Sequence, residues 1–141
     1  MSSIWLERPL QILADESAAE EAGSLGRVLA IIRNVDEWLD SEVSEDYKTD
    51  SLGQHWARVA KASEEVGEAI EALIALTGQN PRKGVCGTLD DLLGELADVA
   101  MTAMFAIQHF TKDEQQTGAV IMAALEKAAS RAAQAGYGRL A

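Results

Sequence analysis

Cysteine occurs once in the 141 residues, at Cys86. A single thiol excludes an internal disulfide and any cysteine cluster for zinc, and it makes a reducing cytoplasm the expected compartment. Proline occurs twice, at Pro9 and Pro81. No run of alternating apolar residues flanked by turns lies between them, so strands are not expected. Basic residues are also scarce: 12 Lys and Arg stand against 23 Asp and Glu, a formal net charge of −11. Such a surface repels a phosphate backbone, which argues against nucleic acid as a general partner and suits a protein that collects cations. The longest nearly apolar stretch, Val99 to Ile107, is less than half of a bilayer span. The opening MSSIWLERPLQIL lacks the basic lead and the continuous apolar run of a signal peptide. No P-loop, GxGxxG or basic aromatic patch is found either. A protein with neither a membrane nor a nucleic-acid partner is expected.

What remains is enough for one ordinary domain. Hydrophobic residues make up 48% and charged residues 25%, so the chain can bury a core and is not a disordered tail. Helical spacing appears repeatedly. Residues 1–22 read as an N-terminal arm or short helix, and 23–141 as an all-α domain. Ser24 is placed to cap a first helix with Leu25, Val28, Leu29, Ile32, Val35 and Leu39 on one face. Residues 41–50, SEVSEDYKTD, read as an acidic linker. Ser51 opens a second helix with Leu52, Val59, Ala62, Val66, Ala69, Ile70 and Leu73 on its stripe, stopped by Gly78 and Asn80-Pro81. Thr88 with Asp91 caps a third helix, and Thr111 with Glu114 repeats that signature before a fourth that ends near Gly136. Four helices on short loops predict an up-and-down four-helix bundle. The third continues VAMTAMFAIQHF, apolar on more faces than one layer can cover, which predicts a homo-oligomer, dimer or tetramer.

The carboxylates break this apolar pattern. At about 100° per residue, Lys61, Glu65 and Glu68 share one flank of the second helix, with Glu64 and Glu71 farther round. Asp91, Glu95 and Asp98 share the corresponding flank of the third, followed by Thr102. Two adjacent helices thus each present an acidic pair at i, i+3 beside a buried surface. With 23 acids an E-x-x-E arises easily by chance, as in Glu42-x-x-Glu45, and either pair alone reads as a solvated face. Two pairs on corresponding flanks need cations, because basic partners are few. Carboxylate oxygens without a nearby histidine or thiol suit magnesium.

The stretch S-E-E-V-G-E-A-I-E-A-L (63–73) with G-E-L-A-D-V (94–99) resembles the all-α nucleoside triphosphate pyrophosphohydrolases, the MazG-like group, whose signature is E-x-x-E, a spacer, then E-x-x-D. The likeness covers about residues 52 to 131. It implies magnesium ligands at Glu65, Glu68, Glu95 and Asp98, with manganese as a substitute. It further implies cleavage of a nucleoside triphosphate between the α and β phosphates, giving a monophosphate and pyrophosphate, in nucleotide-pool house-cleaning. Glu64 or Glu71 would orient the attacking water or the metal ligands.

Departures from the family pattern bear on the substrate. Ala97 replaces a common Gly. Thr102 stands where some relatives place an aromatic residue against the base. In the last helix Lys127 fits a phosphate-binding Lys, but Arg131 replaces the Asn one turn on. Both are candidate phosphate contacts, and both would equally suit the end of a helix dipole. Lys61 and Trp56 complete the candidate substrate contacts, although Trp56 and His55 read first as core or interface residues, as does Trp38. Arg82 and Lys83 in the hairpin loop could meet a triphosphate but read first as solvated, Cys86 as unactivated, and Met101, Met104, Phe105 and Met122 as packing. Two alternatives stay open: a phosphoribosyl-ATP pyrophosphohydrolase-like enzyme, and a non-catalytic helical interaction protein.

Overall fold

Four α-helices and no strand make up the described part of the chain. The computed structural model describes residues 23–136; the expected arm at 1–22 and residues 137–141 lie outside it. The helices are α1 (Gly23–Ser41), α2 (Ser51–Thr77), α3 (Leu89–Thr111) and α4 (Glu114–Gln134). Because α1 includes Gly23, Ser24 falls inside the helix and not at its cap.

Side-chain polarity sets each remaining boundary. Asp50 accepts from Gly53 N at the start of α2, and Gly78 closes that helix in the left-handed region at φ 68. A glycine is required there: a Cβ would lie 2.9 Å from the Val85 side chain. Thr88 and Asp91 form the expected reciprocal cap of α3. The expected cap of α4 is corrected. Asp113, not Thr111, accepts from Gln116 N, while the Thr111 hydroxyl lies 2.7 Å from that of Thr117 and accepts no backbone N–H of α4's first turn. The 41–50 segment is less featureless than its polarity suggests, since Glu45–Tyr47 forms one 3-10 turn.

Successive helices alternate in direction. His55 faces His109 and Lys61 bonds Glu65 opposite Asp98, so α2 and α3 run antiparallel. Arg33 pairs with Glu114, and Leu29 abuts Gly118, which sets α4 against α1. Helix α3 touches all three others, whereas α2 packs on α3 and the 3-10 turn. The core lies between α1 and α3, with Ile32, Val35 and Phe105 buried and Leu29, Trp38, Leu39, Met101 and Met104 packed on them. Trp38, Met101, Met104 and Phe105 are thus packing residues, as expected. Thr117, fully buried, donates to Gln108 Oε1 at 2.7 Å and ties α4 to α3.

The apolar stripe of α2 does not go where its periodicity assigned it. Leu52, Val59, Val66, Ile70 and Leu73 are exposed, as are Trp56, Leu89, Leu93, Leu96 and Phe110, and Met122 on α4. Four helices of one chain bury only a single face of the α2–α3 pair, so the opposite face stays open to solvent.

Phe105→Ala is expected to lower unfolding free energy by about 3 kcal/mol or more through cavity formation. Asp113→Ala should cost about 1 kcal/mol through the lost cap. Urea titrations followed by circular dichroism check both values.

Candidate metal and nucleotide site

The antiparallel register of α2 and α3 brings together carboxylates that are some thirty residues apart in sequence. Oxygens of Glu65, Glu95 and Asp98 all lie within 4.8 Å of one another. Glu65 is buried, and the other two are half-buried. Glu68 stands outside this trio, although its charge still reaches Glu95. Lys61, one turn before Glu65, donates to Glu65 Oε1 at 2.8 Å and to Glu64 Oε2 at 3.0 Å. One ammonium therefore serves two carboxylates, and among the described residues Glu95 and Asp98 have no ion pair with a basic residue.

The electrostatics show the strain. Burial pushes the Glu95 carboxyl above its ordinary range, and the charges of Glu68, Asp98, Glu65 and Asp91 push it further. Burial also raises Asp98, with Glu65 adding to the effect and Lys61 opposing it. Lys61 is itself held above its usual value, chiefly by its hydrogen bond to Glu65. The cluster is one of the groups of described residues that could hold a metal ion.

Two cavities flank the acids. On one side a space of about 570 Å³ is bounded by Leu39, Val43, Ala57, Phe105 and Ala106, with Lys61 and Thr102 at its acid end. On the other, a groove of about 650 Å³ is lined by Glu68, Glu71, Asp91, Glu95, Asn80 and Lys83. Glu95 belongs both to the trio and to this groove. Thr102 is buried, and its hydroxyl donates back to the Asp98 and Val99 carbonyls at 2.9 and 3.1 Å. Lys83 and Arg58 are residues that sequence reasoning left aside: a loop basic gives no periodic signal, and Arg58 reads as one more polar position of α2.

The remaining candidates are more scattered. Glu71 lines the groove, and Glu64 is exposed and paired with Lys61. Trp56 is 69% exposed and does not line the apolar cavity, so it lies neither in the core nor at the site. Lys127 and Arg131 are exposed on α4, which packs on α3 and α1 but not on α2. No ion pair joins either of them to the acids among the described residues.

No family model, curated protein or solved structure matches the chain.

The raised carboxylates fix a sign. A group whose folded pKa exceeds its unfolded one binds its proton more tightly in the folded chain. Its stabilising contribution is complete at low pH and is lost as pH rises through the raised value. In chelator, Asp98→Asn should therefore melt higher than the parent near neutral pH, and the gap should shrink as pH falls into the ordinary carboxylate range. Paired thermal melts from about pH 4.5 to about pH 7 measure this directly.

Proposed function

We propose that the chain is a magnesium-dependent nucleotide pyrophosphohydrolase that cleaves a nucleoside triphosphate between its α and β phosphates. The observation carrying this reading is the convergence of Glu65, Glu95 and Asp98 within 4.8 Å, between an apolar cavity and a polar groove. The motifs at 63–73 and 94–99, with their likeness to the MazG-like group, support the same reading.

The chain's own residues divide the task. Glu65, Glu95 and Asp98 would hold magnesium, with Glu68 joining them by a change of side-chain rotamer. Bound there, the ion supplies neutralisation of phosphate charge and a water of lowered pKa. The base would enter the apolar cavity between Leu39 and Phe105, and Lys61 at its acid end would donate to a phosphate oxygen in place of Glu65. The outer phosphates would lie along the groove toward Lys83. Glu71 accepts a proton or orients water from the groove wall, and Glu64 holds Lys61. The base cavity also carries Ser44, Asp50, Gln54 and Arg58 on its wall, so polar groups that could select a base are at hand, and pool house-cleaning rests on the likeness to the MazG-like group.

The active form on this reading is a homodimer or homotetramer. Leu52, Trp56 and Val59, then Val66, Ile70 and Leu73, recur at steps of three and four along α2, as do Leu89, Leu93 and Leu96 along α3, with Phe110 two heptads farther on. Two such exposed seams side by side match the helical face that a second copy would cover.

Glu95→Gln and Asp98→Asn should each reduce turnover of the best nucleoside triphosphate about a hundredfold, the scale of losing one electrostatic contributor to the transition state. Glu42→Gln should leave the rate unchanged. The products should be monophosphate and pyrophosphate; diphosphate and orthophosphate would mean attack at the γ position and a different enzyme. Equal, small effects for all three variants would discard the site. Separately, Ile70→Glu should shift the particle to a monomer by light scattering, and a parent already monomeric at micromolar concentration would refute the assembly.

A further inference from the structure

Apart from Arg58, which also lines the apolar cavity, the polar cluster at the far end of the α2–α3 hairpin has no role in that chemistry. Asp36 and Asp40 come from α1, His55 and Arg58 from α2, and His109 and Lys112 from the end of α3. Lys112 Nζ lies 2.7 Å from Asp40 Oδ2, 3.0 Å from Asp36 Oδ2 and 3.3 Å from His109 Nδ1. An ammonium has three protons and no lone pair, so it donates in all three contacts, and His109 Nδ1 is the unprotonated ring nitrogen. His109 Nε2 then carries the proton and donates to His55 Nδ1 at 2.9 Å. Two carboxylates and an imidazole lone pair from two helices thus converge on a single positive centre. In addition, an outer partner fixes the imidazole's tautomer, as the outer partners of metal-bound histidines do.

A second observation points to a cation richer than an ammonium. Asp36 is 2% exposed, and its Oδ1 is the one buried side-chain polar atom without a hydrogen-bond partner among the described residues. The nearest basic groups stop short of it, Arg58 at 3.8 Å and His109 Nδ1 at 3.7 Å. His109 Nδ1 lies 3.6 Å from Asp40 Oδ1. These separations are close to the edge, about 3.4 Å, of a tetrahedron with metal–ligand bonds of about 2.1 Å.

We propose that Asp36, Asp40 and His109 form a second cation site, for a divalent transition ion of the zinc class, entered by displacing the Lys112 ammonium. A mixed nitrogen and oxygen donor set favours such an ion over magnesium, which suits the all-oxygen trio of Glu65, Glu95 and Asp98. The Lys112 side chain is 50% exposed and can withdraw into solvent, while Arg58 keeps its 2.7 Å bond to Asp40. His109 lies eleven residues beyond Asp98 on α3, about 16 Å of helix, so the two sites do not share an ion. Occupied, the site ties α1 to α3 across the core.

The test is a zinc titration of the full chain in excess magnesium, following the ring C–H signals of its 2 histidines by NMR. Both signals should move and saturate at one equivalent. Glu95→Gln should leave this unchanged, and His109→Gln should abolish the His55 shift. Lys112→Met, which removes the competing charge, should tighten zinc binding about tenfold or more, the scale on which neighbouring groups move metal affinity. Ring signals that stay still, or zinc binding lost in Glu95→Gln, would overturn the proposal. Should His109→Gln fail to fold, Lys112→Met decides, and unchanged zinc affinity in that variant refutes the site.

Discussion

The register of α2 against α3 is the constraint on which the rest of the molecule depends. It places Glu65 beside Asp98 and Glu95, and about three turns away it places His55 against His109. A slip of one residue on either helix would turn each side chain about 100° and dissolve both clusters. Apolar burial alone does not set that register, because the outer faces of both helices are exposed. The eleven-residue connection does part of the work. Cys86 N and Gly87 N both donate to Ala75 O, at 3.0 and 3.2 Å, and a Cβ on Gly87 would come within 2.9 Å of the Ala75 Cβ. The hairpin is thereby pinned at its turn, and the packing of α1 on α3 holds its other end.

The two charge clusters obey opposite rules. At the end of α3, two carboxylates meet two permanent cations. Burial opposes ionisation of Asp40, but hydrogen bonds from Lys112 and Arg58 outweigh it and hold the carboxyl below its usual range. Burial, reinforced by Lys112 and Arg58 and opposed by Asp36 and Asp40, keeps His109 below its ordinary value of 6.5. That cluster is close to neutral and clamps three helices. Among the described residues the trio at mid-hairpin meets Lys61 alone, and the carboxyls of Glu95 and Asp98 are pushed up instead of down. Arg58 and Lys112 serve that end, whereas the central acids have Lys61; on the proposed reading a cation from outside would supply the remaining charge.

Helix number, the limits of α2 and α3 and the acid pairs were readable from residue order, because each depends on local periodicity and capping, whereas Ser24 lies inside α1 and Asp113 stands in place of Thr111 as the cap of α4. The chemistry of Thr88 with Asp91 is local, and so is that of Gly78. Which apolar face turns inward was not readable. Leu29 and Leu39 pack on the core while Leu52 and Leu73 do not, although all four sit on regular stripes. A stripe states that a face needs a partner, not whether the partner belongs to the same chain. The pairing of His55 with His109 and the pull of Lys112 on Asp36 were equally hidden, because each joins residues far apart in sequence. Trp56, at the edge of the stripe, reads first as core or interface; it is not in the core and lies on the exposed seam.

The exposed seam and the acid trio are connected through the same two helices. A chain that buried both faces of α2 would need a further layer, and that layer would roof the groove beside Glu68 and Glu95 or the cavity beside Lys61. With one face of the hairpin open, the acids stay at a margin, where Glu65 is shielded but Asp98 and Glu95 are half-open. Half-burial would suit the metal-holding role proposed for each of these carboxylates. Full exposure would screen its field, and full burial would protonate it before any cation arrived. The small core of a single chain is therefore what allows the site to lie between two layers instead of inside one.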